Sequence, residues 1–136
     1  MWIGVIFFLS SPNGSATNTS LIVGPLLQYF FPDMSEASRE IVHMYVRKTA
    51  HFTEYGLLAL LMVRAVVKTT PKPVWLRWLL PVALVTLVAA LDEYNQSFEP
   101  SRTSSIYDVM IDIAGGAIAS FSCLLVWMRS ARRNAA

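Results

Sequence analysis

LDEYNQSFEPSRTSSIYDVMIDIAGG, residues 91–116, decides how this chain is read. It carries Asp92, Glu93, Glu99, Asp108 and Asp112, five of the nine acidic residues. Residues 75–91 before it are apolar, and its own end runs into an apolar stretch that closes near Met128. An acidic side chain at mid-bilayer costs about 2.5–3.5 kcal/mol. Carboxylates wedged between such runs therefore belong at a membrane surface or against a protein interior, where they mark a functional site by default.

The composition agrees. Of 136 residues, 54% are hydrophobic and 15% charged, against roughly 25% charged in a soluble domain. Lipid covering most of the outside accounts for the surplus apolar surface. The length is that of one domain, residues 1–136. A net charge of +2, with no basic run interleaved with aromatics, gives no ground for a nucleic-acid partner. Cys123, the single cysteine, lies in an apolar run and reads as a small buried hydrophobe.

Working outward, residues 106–128 and 75–91 are two predicted spans, the second with Trp75 and Trp78 at its start where an aromatic belt lies. Pro81 is expected to bend or loosen it. Residues 52–67 are a third, short span, which Arg64 and Lys68 lengthen by snorkelling. Residues 35–48 read as an amphipathic surface helix feeding that span, capped by Asp33 or Ser35. Residues 21–31 are apolar but too short to cross, and residues 10–20, punctuated by Pro12 and Gly14, read as a loop. Residues 1–9 read as the stub of a first helix whose start is missing. The expected fold is an all-α membrane bundle of three to four transmembrane helices with a truncated first helix. Gly115 and Ala119 form a small-xxx-small register, an expected route to a homo-oligomer.

Basic residues set the orientation. Lys68, Lys72, Arg77 and Arg64 surround one connection, and Arg129, Arg132 and Arg133 follow the last span in the tail 129–136. Both ends are thus expected inside, N-in and C-in. The 92–105 connection, net −2 from Asp92, Glu93, Glu99 and Arg102, is expected outside. That topology gathers polar residues at one surface: His51 and Glu54, Asp92, Glu93 and Gln96, Arg102, then Asp108 and Asp112. The pairs 51/54, 92/96 and 108/112 each share a helix face.

Several readings compete for this cluster. One is a satisfied network in which carboxylates pair with Arg102, Arg47 and Lys48 and hold the helices together; Asp112, deeper in its span, fits it least. An enzymatic reading makes His51 the base, its tautomer fixed by Glu54 or Asp112, with Asp92 and Glu93 as further catalytic candidates. Gln96, Arg102 and Asp108 would then bind ligand, Arg102 clamping an anionic headgroup. One histidine with several carboxylates also resembles an oxygen-rich divalent site, but H-x-x-E spacing is not diagnostic, and neither a metal nor a cofactor is expected. A transporter would need charges further along the spans, and beyond Asp112 the last helix offers only Ser120, Ser122 and Cys123. The residues do not decide between binding and catalysis.

The strings HFTEYGLLALL (51–61) and 91–116 resemble the VanZ-like family of small bacterial membrane proteins. The family pattern falls on His51, Phe52 and Tyr55; on Asp92, Glu93, Gln96, Phe98, Pro100 and Arg102; and on Asp108, Asp112 and Gly115. Ser101 stands where the family usually has glycine, and FFLSS at 7–11 corresponds to the exit of the family's first helix. The resemblance covers roughly residues 10–128. It implies a multi-pass protein of the cell envelope, in the bacterial inner membrane, in contact with membrane lipids. The family takes its name from a member associated with resistance to the glycopeptide teicoplanin. The expected function is an outer-face polar site that binds or modifies an anionic lipid or cell-wall precursor and influences glycopeptide susceptibility. A structural or assembly role for the cluster is the alternative.

Overall fold

Three helices carry the architecture. The structure is a computed structural model that describes residues 1–11, 16–69, 73–98 and 105–133. Its helices are α1 (Trp2–Leu9), α2 (Ala16–Phe30), α3 (Glu36–Thr69), α4 (Val74–Gln96) and α5 (Ile106–Arg133). Among the described residues there is no strand. α3, α4 and α5 pack on one another, the α3–α5 contact being the most extensive, while α1 and α2 lie against α3. These three are long and apolar enough to cross a membrane. α1, with 8 residues, is only about 12 Å long.

The core follows the helical spacing of the apolar residues. Tyr55, Leu58 and Ala59 of α3 meet Val85, Val88 and Ala89 of α4, and Ile6 of α1 closes the cluster. Positions i, i+3 and i+4 form one stripe on each helix, so both helices bury one face and leave the other apolar and bare. Leu57, Leu60, Leu87, Leu91, Ile118, Phe121 and Val126 are exposed. In lipid such a surface carries no penalty, because the driving force is close packing and not removal of apolar area from water.

Close packing is where the glycines of α5 act. A Cβ on Gly115 would collide with the Phe52 carbonyl of α3, and one on Gly116 would sit 2.7 Å from Val85 Cγ1 of α4. Consecutive residues of one helix thus face its two neighbours. A Cβ on Gly56 would lie 3.8 Å from Ala119 Cβ, so the face expected to hold a second copy through Gly115 and Ala119 is covered by α3.

Several boundaries differ from the sequence expectations. The amphipathic segment 35–48 and the span 52–67 are one continuous helix of 34 residues. Nothing between them interrupts the backbone: the stretch has no proline, and its glycine, Gly56, lies deep in the span. α4 runs through the buried Pro81 and on to Gln96, so Asp92 and Glu93 stand on a helix and not in a connection. α5 continues past Met128 to Arg133, and α2 begins at Ala16, inside the segment read as a loop.

Candidate functional site

The long α4 is what builds the site. Its last turns project Asp92 and Gln96 from the face that carries Val85, Val88 and Ala89, straight into the space between α3 and α5. Asp92 is 1% exposed. Its Oδ2 accepts three hydrogen bonds: from the Ser10 hydroxyl at 2.7 Å, the Tyr55 hydroxyl at 3.1 Å and Gln96 Nε2 at 3.0 Å. One carboxylate oxygen thereby ties the end of α1, the middle of α3 and its own helix together. Donors of this kind stabilise a buried charge, each by about 1.5–3 kcal/mol.

α3 contributes the second half. His51 and Tyr55, one turn apart, are both buried, their rings nearly parallel with centroids 6.4 Å apart. His51 Nδ1 lies 3.5 Å from Asp112 Oδ1 of α5, an ion-pair distance that is too long for a hydrogen bond. Asp112 is 1% exposed. Asp112, His51, Tyr55, Asp92 and Gln96 therefore form one contiguous buried chain of polar groups across three helices. The pair aims Nδ1 at a carboxylate, and a hydrogen bond formed there would leave the opposite ring nitrogen as a base.

The network is only half satisfied. Asp92 Oδ1, Gln96 Oε1, Asp112 Oδ1 and His51 Nδ1 are buried and have no hydrogen-bond partner. A buried polar atom without a partner costs about 1–3 kcal/mol. Three of these four are acceptors that cannot donate, so what they lack is hydrogen-bond donors.

The other predicted residues have different places. Glu93 is buried and accepts from the backbone N–H of Ser105, which fixes the start of α5 to the end of α4. Asp108 pairs with Lys48 at 2.5 Å and with Arg47 at 3.8 Å, joining α5 to the projecting part of α3. Glu54 stands beside the buried stripe, half-buried, and its carbonyl accepts from Trp2 Nε1. Arg102 lies outside the described residues, as do Glu99 and Pro100. Among the described residues no group of three or more histidine, cysteine or acidic side chains is arranged to hold a metal ion.

Ser10 and Tyr55 join the site although neither was singled out as a candidate site residue; Tyr55 lay on the family pattern and Ser10 at the exit of the first helix. Tyr55 had a signal, since it follows His51 by four residues on the buried stripe of α3. Ser10 had only its place at the end of an apolar run, which does not reveal a partner 82 positions away.

Searches of curated proteins and of solved structures find no match. The VanZ/LLP1 family model matches residues 1–127, nearly the whole chain, including every element of the buried network. With three helices able to span a bilayer, the chain is a multi-pass cell-membrane protein and belongs to the VanZ/LLP1 family.

Proposed function

We propose that the half-satisfied network between the middle of α3, the end of α4 and the start of α5 is a recognition site on the outer face of the membrane for the polar part of a lipid-linked cell-wall precursor. The orientation rests on charge: Arg64, Lys68, Arg77, Arg129 and Arg133 belong to the opposite end of the bundle. One observation carries the reading. Within this network the buried atoms without a hydrogen bond are mainly acceptors: Asp92 Oδ1, Gln96 Oε1 and Asp112 Oδ1, the last 3.5 Å from His51 Nδ1. Acceptors suit hydroxyl and amide donors, such as sugars and peptides present; bare phosphate suits them poorly. This sharpens the expectation of an anionic lipid: the anion itself would be repelled here by Asp92 and Asp112, and a precursor bears both an anion and donor groups. Capture of a precursor at this site would alter glycopeptide susceptibility.

The test compares binding of a lipid-linked cell-wall precursor with phosphatidylglycerol by native mass spectrometry in detergent. We expect preference for the precursor, and a 10-fold or greater loss of it in Asp92→Asn and Asp112→Asn, the loss of one charged hydrogen bond being about 1.5–3 kcal/mol. Equal binding of both lipids refutes precursor recognition. Loss of membrane-inserted protein in both variants, at normal ligand preference in what remains, makes the cluster a helix clamp. The His51–Asp112 pair favours a second reading, hydrolysis or transfer on the bound lipid. His51→Gln should then abolish turnover while leaving precursor binding within a few-fold of the parent.

A further inference from the structure

A second concavity lies at the other end of the bundle, and its chemistry is the reverse of the first. It has a volume of about 160 Å³ and opens between the last turns of α3, the first turns of α4 and the second half of α5. Leu60, Val63 and Leu124 give it apolar walls, and Arg64 and Arg77 also line it. Arg77 is held over the Trp127 ring at 5.4 Å from its centroid, which fixes its guanidinium beside the opening. Two further donors line it. Ser120 is 1% exposed and its Oγ has no hydrogen-bond partner; Trp78 Nε1 is likewise buried and unpartnered. An indole N–H can only donate, and so can a guanidinium. The site therefore presents cations and hydrogen-bond donors above an apolar slot.

We propose that this concavity binds one anionic glycerophospholipid of the leaflet at the basic end, an acyl chain lying in the slot and the phosphate between Arg64 and Arg77. Charge complementarity selects this occupant. The guanidinium fork suits phosphate oxygens, and the unpartnered Ser120 hydroxyl and Trp78 N–H suit the ester and phosphate oxygens of the same lipid. A neutral hydrocarbon would leave the Ser120 hydroxyl and the Trp78 N–H unmatched. The proposal is independent of the precursor reading, since the two sites share no residue and sit at opposite ends of the helices.

Bilayer discs of phosphatidylcholine containing one-fifth phosphatidylglycerol, with bromine on the acyl chains of one lipid at a time, test it through tryptophan quenching. Brominated phosphatidylglycerol should quench at least 3-fold more per mole than brominated phosphatidylcholine, and Arg64→Gln should reduce that ratio to near one. Native mass spectrometry supplies a second readout: the parent should retain one phosphatidylglycerol, and Ser120→Ala should retain it several-fold less. Equal quenching by the two lipids, or an undiminished ratio in a folded Arg64→Gln, overturns the proposal. If Arg64→Gln does not fold, retention of phosphatidylcholine as readily as phosphatidylglycerol by the parent does so instead.

Discussion

Gly116→Ala tests the packing that sets up the buried network. The added methyl would sit 2.7 Å from Val85 Cγ1 and 3.0 Å from Cγ2. Non-bonded carbons rest at about 3.5–4.0 Å, so the two helices must part by about 1 Å. Val85 cannot swing aside, because it is 0% exposed and a β-branched side chain in a helix has one strongly preferred rotamer. Overpacking of this kind costs about 1–3 kcal/mol. Val85→Ala alone should cost roughly 2 kcal/mol, from the lost methyls and the cavity they leave. Combined, the new methyl of residue 116 enters the space that the valine vacates. The double variant should then be about 1–3 kcal/mol more stable than the sum of the single effects predicts. Denaturing-detergent titration followed by tryptophan fluorescence reads all four proteins. Additivity within about 0.5 kcal/mol would refute the claim that Gly116 exists to admit Val85.

Three further outcomes are expected. Ser10→Ala and Tyr55→Phe each remove one donor from Asp92 Oδ2, and each should lower stability by about 1.5–3 kcal/mol in thermal unfolding; no change in either would mean that Asp92 does not depend on them. Lys48→Met breaks the closer of the two ion pairs of Asp108, and should cost about 1 kcal/mol or less, diminishing as salt rises; an effect insensitive to salt would point to lost side-chain packing. With Cys123→Ser in place, Gly56→Cys and Ala119→Cys, whose Cβ positions lie 3.8 Å apart, should oxidise to a disulfide within one chain, the natural range being about 3.5–4.5 Å. A crosslinked dimer on a non-reducing gel would instead show that α3 does not cover this face.

The membrane bundle was legible because apolar runs and terminal arginines are local signals. Helix ends were less so. Asp92 and Glu93 read as the start of a polar connection, because charge looks like loop when the partner is unseen; in the fold, Ser10, Tyr55 and Gln96 all donate to Asp92 Oδ2, and the helix runs on to Gln96. Residues 35–48 and 52–67 read as two units for a related reason. Arg47, Lys48 and His51 suggest a water boundary, yet Asp108 and Asp112 of α5 wait there to receive them. Spacing along one helix suggested Glu54 beside His51, but it could not show that Asp112 of α5 faces the imidazole, because that approach is made across two helices. Sequence spacing placed Asp92 with Gln96 one turn later because that hydrogen bond lies within one helix. The position of Ser10 depended on tertiary packing alone.

The unbroken α3 has a mechanical consequence. Its 34 residues measure about 51 Å, against a hydrocarbon layer of about 30 Å, so a rod of several turns projects beyond the lipid. Arg39 near its tip and His51 in the network are about three turns apart on a shaft with no joint. A contact made along Glu36–Lys48 would therefore bear on the same unbroken helix that carries His51 to Asp112.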